Sequence, residues 1–407
     1  MVVGGPAALA PSAAGQTGVP GSEYNIYSGN THSHTQNTWS HGAQFSNVAP
    51  EPGSGKKGKS GLRISPEGAQ SPPEDLTPRP DWQKYQGPPA AHYALAKSNR
   101  YDFYTTSDHS QEAAFHPVSP TNPAWVAMQL AATAATDANF VAIGAFEYSE
   151  NNGPGGKGHL NVLNSREYLN ALAPAMDLPY LYQWLKTAQS NGDGPVVASF
   201  NHPSANQYSN WADRDPQVTD IITMLEVINS NTKIHYEAFL SALAKGWKVS
   251  PVCGNDNHGL GGVTQHTSRT FVLATAKTKA AILDAMKNRR TYASLDGNLQ
   301  CRYTVNGAIM GSTLNRPDAV KFDIWISDPD ATKPTDKISK IDIVKDDGAV
   351  VQEYNPTPAH SVTWTPTIND ATSRFFFVRV WNVGGGDAAG GDPKKPVAWL
   401  APVWTGR

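Results

Sequence analysis

The sequence predicts an α/β unit followed by a small antiparallel β-sandwich. Three observations predict it. Short apolar runs alternate with helix-periodic segments from Tyr101 to about Ser294. After Leu295 the pattern changes to a period of two. Histidines and carboxylates, finally, sit at the ends of the apolar runs rather than being scattered. The 407 residues give room for one to three domains and a large core.

Composition removes several function classes. Thirty-three basic and 35 acidic residues leave a formal charge of -2, which argues against a chain that grips nucleic acid through a basic face. Eleven tryptophans and 15 tyrosines argue against disorder. No apolar run approaches the roughly 20 residues that span a bilayer. Two cysteines exclude a disulfide scaffold and a multi-cysteine zinc site. A metal site must then use His, Asp and Glu, and 12 histidines are present.

The elements follow in order. Residues 1–21 are rich in Gly, Ala and Pro and lack a basic stretch; they read as a flexible arm or as the remnant of an export signal, and the second reading implies a periplasmic or secreted protein. Residues 45–90, with Lys56, Lys57, Lys59 and Pro72, Pro73, Pro78 and Pro80, hold too many breakers for regular elements and read as a long surface insertion. Tyr101 to Ser107 and Phe140 to Phe146 read as strands. Leu181, Trp184, Leu185 and Ala188 share one helix face. Pro195 to Phe200, Ile221 to Ile228 and Val249 to Val252 are further strands. Gly246 closes a helix through Phe239, Ala242 and Leu243, and Thr278 caps one that buries Ile282, Ala285 and Met286. Repeated βα units build a parallel sheet, open or closed into a barrel. Beyond Leu295, Val320, Phe322, Ile324 and Ile326 alternate with Lys321, Asp323 and Trp325, Asp347-Gly348 signals a hairpin, and Phe376, Val378 and Val380 alternate again. Residues 300–407 read as the sandwich.

The chemistry lies at the predicted strand ends. His32 and His34, two apart on an extended segment, face one side and can reach one ion. His41 follows on a loop. Asp108 and His109 close the Tyr101 strand, Glu147 closes the Phe140 strand, and His159 lies in the loop after it. His202 closes the Pro195 strand; Asp256 and His258 close the Val249 strand. Strand C-terminal ends converge on one face of an α/β sheet. Seven histidines and two carboxylates thus gather in one cleft, more than one tetrahedral site needs, so two or three ions sharing a bridging carboxylate are expected. Imidazole with carboxylate suits zinc, manganese or iron. Asp108, beside a proposed ligand, is expected to hold an imidazole by hydrogen bonding. Singly, an H-x-H or D-x-H pair is commonplace, and the specific signal is the combination. His92, His116, His235 and His360 lack the strand-end context and read as structural or surface groups.

The motifs Thr31-His-Ser-His-Thr, Thr106-Ser-Asp-His, Gly144-Ala-Phe-Glu, Gly158-His-Leu-Asn-Val, Phe200-Asn-His-Pro, Gly254-Asn-Asp-Asn-His and Arg290-Thr-Tyr-Ala-Ser resemble those of the PHP (polymerase and histidinol phosphatase) superfamily across residues 24–299. Val305-Asn-Gly and the closing Val397-Ala-Trp with Pro402-Val-Trp resemble the C-terminal sandwich of the CehA/McbA-like branch. The resemblance implies a distorted (β/α)7 barrel over residues 22–299. It implies that His32, His34, Glu147 and Asp256 hold one ion. Glu147 would bridge to a second held by His159 and His202, and His41, His109 and His258 would hold a third. Ser40-His41-Gly42 departs from the Ser-Asp-Gly common in the family, so that ligand is an imidazole.

The function expected from this set is hydrolysis of small phosphomono- or diesters by a metal-bridging hydroxide, with Glu147, Asp256 and His258 at the reaction centre. Neither a G-x-S-x-G turn nor an activated cysteine is apparent. Cys253 reads as a buried small group, with a Cys253–Cys301 disulfide left open. Arg269, His266, Lys157 and Trp39 are candidates for substrate contact, as is Tyr148 beside Glu147; each otherwise reads as surface charge or packing. The rival readings are a carbamate, ester or amide hydrolase of the carbaryl-cleaving kind and a non-enzymatic binding module. The expected partner is a small-molecule substrate, without nucleic acid and without a membrane span.

Overall fold

The computed structural model describes residues 19–39, 63–71, 85–150, 157–231, 233–386 and 395–407. The strands before Leu295 are β1 (Asn25–Asn30), β2 (Arg63–Ile64), β3 (Gln70–Ser71), β4 (Phe103–His109), β5 (Val141–Ser149) and β6 (His159–Leu163). They continue with β7 (Val197–Asn201), β8 (Ile222–Asn229), β9 (Lys233–Ile234), β10 (Ser250–Gly254), β11 (Arg269–Ala274) and β12 (Thr291–Ser294). In the large sheet they lie in the order β10-β8-β7-β6-β5-β4-β1-β11-β12. β4, β5, β7, β8 and β10 are buried along their whole length, as strands covered on both faces are, and they carry polar groups such as Asp108, Glu147 and Glu226 into the interior.

The sheet is mixed, which corrects the expectation of a parallel one. β1–β4, β4–β5, β7–β8 and β8–β10 are parallel, but β6 runs antiparallel to both β5 and β7, and β11 runs antiparallel to β1 and β12. The reason for β6 is chain length. The link from Ser149 to His159 is too short for a crossover helix, so the chain returns as a hairpin. His159 is therefore the first residue of a strand rather than part of a loop.

Helices Pro89–Ser98, Pro123–Ala135, Leu178–Leu185, Tyr236–Ala244 and Lys279–Lys287 cover the sheet. Their caps follow local chemistry. Asn122, Asp177 and Thr278 each accept an amide of the first turn, and Gly246 takes φ +87° just past the helix that it ends. Among the described residues no helix is long and apolar enough to cross a membrane.

The exits of β1 and β10, strands far apart in the sheet order, lie side by side. Ser33 bridges Asn257, the His34 amide donates to Asn257 at 3.0 Å, and the Asp256 amide donates to His32 at 3.0 Å. Thr270 fastens this seam, since its hydroxyl accepts the Cys253 amide and lies 2.8 Å from the Cys253 carbonyl.

The C-terminal strands are β13 (Gln300–Val305), β14 (Ala308–Ile309), β15 (Ala319–Ser327), β16 (Ile338–Lys345) and β17 (Val350–Tyr354). β18 (Ser361–Trp364), β19 (Thr367–Asn369), β20 (Phe375–Asn382), β21 (Ala398–Leu400) and β22 (Val403–Trp404) complete them. β14-β13-β15-β18, with β19 on β15, form a separate antiparallel sheet of five strands. Val320, Phe322, Ile324 and Ile326 are buried on one face of β15, and Phe322 meets Phe376 of β20 edge to face. Asp347-Gly348 turns the β16–β17 hairpin with Gly348 at φ +81°. β17-β16-β20-β21 continue the large sheet itself, because β21 pairs with β12 at Tyr292–Leu400. Cys253 and Cys301 are both buried free thiols, so the disulfide left open on sequence does not form.

Candidate metal centre

Eight of the nine proposed ligands lie in described residues, and they meet in one cluster. His32 and His34 follow β1, His109 ends β4, Glu147 lies in β5, His159 opens β6, His202 follows β7, and Asp256 and His258 follow β10. His41 lies outside the described residues. Glu147 is the hub. Its oxygens stand 3.0 Å from His109 Nε2, 3.2 Å from His159 Nδ1, 3.3 Å from His32 Nε2, 3.4 Å from His202 Nε2 and 3.6 Å from His34 Nε2. Asp256 Oδ1 lies 3.1 Å from His34 Nε2 and 3.5 Å from His32 Nε2. The Nε2 atoms of His32 and His34 are themselves 3.0 Å apart.

Among the described residues this cluster yields four overlapping sets of three ligand atoms: His32, Glu147 and His202; His32, His34 and Asp256; His109, Glu147 and His159; His34, His109 and His258. Glu147 belongs to two of them. The division differs from the one implied by resemblance. His202 groups with His32 rather than with His159, and His34 stands with His109 and His258 as well as with Asp256.

The surrounding residues aim these groups. Glu226, fully buried in β8, accepts His32 Nδ1 at 2.8 Å and the His202 amide at 2.8 Å, and Asn229 donates to it at 3.1 Å. Asn201 and Ser149 donate to Glu147 at 2.9 and 3.1 Å. Glu112 lies 3.4 Å from His109 Nδ1. Two members sit on left-handed backbone, His202 at φ +30° and Asp256 at φ +49°. Such conformations cost free energy and persist where surroundings over-determine them. Asp108 acts differently from the expectation. It accepts from the Thr35 amide at 2.6 Å and from the Thr35 and Thr38 hydroxyls at 2.7 and 2.9 Å, and so grips the loop after His34 instead of an imidazole.

Charge and burial oppose one another throughout. Burial disfavours ionised Glu147, yet the imidazoles around it, His32 foremost, hold its carboxyl well below the usual carboxylate range. Asp256 is held low in the same way by His32 and His34. Burial disfavours the His32 cation, but Glu147 and Glu226 push its pKa well up; burial, with His258 and His109, pushes His34 well down.

This donor set fits bound cations. One carboxylate cannot pair with five imidazoles at once, and two ring nitrogens 3.0 Å apart face the same carboxylates. Polar groups so buried need a partner that accepts many lone pairs, which a divalent ion supplies. Imidazole and carboxylate together match zinc, manganese or iron rather than calcium or magnesium.

The candidates for substrate contact separate. His266 joins Asp256, His258, Ser230 and Tyr85 in lining an open cavity of about 510 Å³ beside the cluster. Arg269 turns elsewhere: it donates to the His266 and Ser268 carbonyls and lies over the Tyr101 ring at 3.7 Å. Lys157 pairs with Glu150 at 2.7 Å. Trp39 is buried and donates to the Gln70 carbonyl, and Tyr148 is buried with its hydroxyl on Glu150. Sequence reasoning missed Glu226, Glu112 and Asn201. It also set His235 aside, although His235 Nδ1 bonds the carbonyl of Pro203 at 2.8 Å, directly after His202. A lone carboxylate in the apolar run Ile221 to Ile228 is a signal for Glu226, since a buried charge needs a partner.

No family model and no curated protein sequence matches the chain. Among solved structures, the chain is similar to a two-domain protein from Bacteroides vulgatus containing a predicted PHP-like metal-dependent phosphoesterase. The likeness has a TM-score of 0.43 at 15% identity and covers 97% of this chain and 100% of that one.

Proposed function

We propose that this chain is a multinuclear metal-dependent phosphoesterase of the PHP type, acting on small phosphomono- or diesters. One observation carries the reading: six histidines and two carboxylates from six strand ends converge into four overlapping ligand triads around Glu147. The same reading makes residues 22–299 a distorted barrel and 300–407 a sandwich domain. The hydrogen-bonded seam between the β1 and β10 exits supports the first, and the two facing C-terminal sheets support the second. Arg269 and Trp39 are engaged elsewhere, Lys157 pairs with Glu150, whose carbonyl lies 3.1 Å from His159 Nε2, so it stays at the edge of the cluster, and His266 stays at the cavity.

Two or three bound zinc, manganese or iron ions would lower the pKa of water towards ~7 and offset charge building on a phosphoryl group. The chain's own residues do the rest. Glu147, shared by two triads, is placed to bridge. Asp256 and His258 line both the cluster and the cavity, so they face whatever occupies it. Glu226 and Asn201 fix the orientation of His32 and Glu147. A covalent route through sulfur is disfavoured, since burial pushes the Cys253 thiol up to about 12.

The test is metal content with turnover. Protein purified without chelator is expected to carry two to three transition-metal ions per chain and to cleave 4-nitrophenyl phosphate or its diester. Glu147→Ala is expected to lose metal and at least ~100-fold in activity while its circular dichroism stays that of the wild type. Fewer than one ion per chain after reconstitution, or near-wild-type turnover in Glu147→Ala, overturns the proposal.

A further inference from the structure

Away from the histidine cluster, a second group of oxygen donors sits where the large sheet joins the five-stranded one. Asp296 lies in the link between β12 and β13, Asp328 directly follows β15, and Asp336 precedes β16. Each places a carboxylate oxygen within 4.8 Å of the other two. Asp328 is only 3% exposed, yet among the described residues no N–H or hydroxyl group donates to its Oδ2; its carboxyl meets the Asp296 carboxyl, and Oδ1 accepts the Asp330 amide at 2.8 Å. A buried carboxylate oxygen left unsatisfied beside two like charges is costly unless a cation meets it. Lys333 reaches the margin only. It pairs with Asp330 at 2.7 Å, lies 3.7 Å from Asp336, and is 61% exposed.

We propose that Asp296, Asp328 and Asp336 bind one calcium ion that clamps the β12–β13 link to the β15–β16 connection. The donor chemistry selects the ion. These three ligands are all hard carboxylate oxygens, with neither imidazole nor thiolate among them. The histidine-rich centre prefers other metals, so the two sites sort their ions by ligand type. Without the cation, burial and the neighbouring Asp328 and Asp336 charges push the Asp296 carboxyl up.

The test uses the full chain, loaded with transition metal at the histidine cluster, and titrated with calcium chloride by calorimetry and thermal melting. One calcium per chain and a Tm raised by several degrees are expected. Asp336→Asn and Asp296→Asn are expected to weaken calcium binding at least tenfold and to remove the Tm shift. Without calcium they should melt at or above the wild-type temperature, because repulsion is relieved. Asp336 and Asp296 are less buried than Asp328, so the substitutions are placed there, where the fold tolerates them. No binding up to about 10 mM calcium, beyond the range of weak extracellular modules, overturns the proposal. So does an unchanged shift in both variants, or a calcium-free Tm that falls in them, which would mean that the carboxylates share a proton.

Discussion

At the scale of single residues, the pair Glu226–His32 shows how the cluster is aimed. A carboxylate on Nδ1 fixes the imidazole tautomer and leaves Nε2 to face Glu147 and Asp256. Gly254 makes room for this pair: a Cβ there would lie 1.9 Å from Glu226 Oε1 and 2.9 Å from the His32 Cβ. Glu226→Gln keeps the volume but loses the charge, and is expected to weaken metal affinity 10- to 100-fold, roughly the range for such supporting partners. Gly254→Ala, through displacement of the same carboxylate, should match or exceed it. Chelator competition with a melting curve checks both, and unchanged affinity in the two variants would show that His32 orients itself. The eight side chains that converge were legible in the sequence from their combination at and near strand ends, since each H-x-H or D-x-H pair alone is commonplace. For Glu226 the sequence signals only a buried charge in need of a partner; that the partner is His32 follows from the parallel register of β8 between β7 and β10.

At the scale of elements, helix Pro89–Ser98 buttresses the loop that carries His34. His92 Nε2 bonds the Gln86 carbonyl at 2.7 Å, and Gln86 in turn donates to the Thr35 and Thr38 carbonyls. Burial drives the His92 pKa down to about 4 from its ordinary 6.5. The folded state thus keeps His92 neutral where the unfolded chain would protonate it. The stabilisation is complete above pH 6.5 and is lost as pH falls from 6.5 towards 4. Between pH 6.5 and 5 the loss is about 2 kcal/mol at 1.36 kcal/mol per unit. His92→Gln retains an amide donor but does not titrate. Urea unfolding of both proteins at pH 7 and pH 5 is expected to show a smaller acid loss in the variant by about that amount; parallel losses would remove His92 from the account. The strands themselves were readable from apolar runs, with ends shifted by about two residues at β4. β6 was not readable, because the five residues His159–Leu163 follow a Gly-rich link that reads as loop and only pairing with β5 and β7 makes them a strand.

At the scale of the molecule, the proposed function raises the question of which bond the cluster would cleave. The period-two pattern beyond Leu295 marked the alternating strands β15 and β20, but not the β12–β21 pairing that joins the C-terminal strands to the large sheet, since long-range partners leave no local mark. The reaction is a similar problem, and it can be settled by charge. Three ions, as the proposed function allows, concentrate more positive charge than a carbamate transition state needs, whereas a phosphoryl group carries two or three charged oxygens to meet it. The 510 Å³ cavity opens beside Asp256, His258 and His266, where such a group would sit against His258 and hence against the His34, His109 and His258 triad. Resemblance adds His41 to that third position. Aryl phosphates and phosphodiesters are therefore expected to show higher kcat/KM than matched aryl carbamates. His41→Ala should depress phosphoester cleavage at least tenfold more than carbamate cleavage, because it weakens only the position that the extra phosphoryl charge requires. Kinetics of wild type and His41→Ala on 4-nitrophenyl phosphate and a 4-nitrophenyl carbamate decide the matter. Faster carbamate cleavage by the wild type, or equal losses on the two substrates, would mean that the third position only shapes the loop and that the cluster serves carbamate or ester hydrolysis instead.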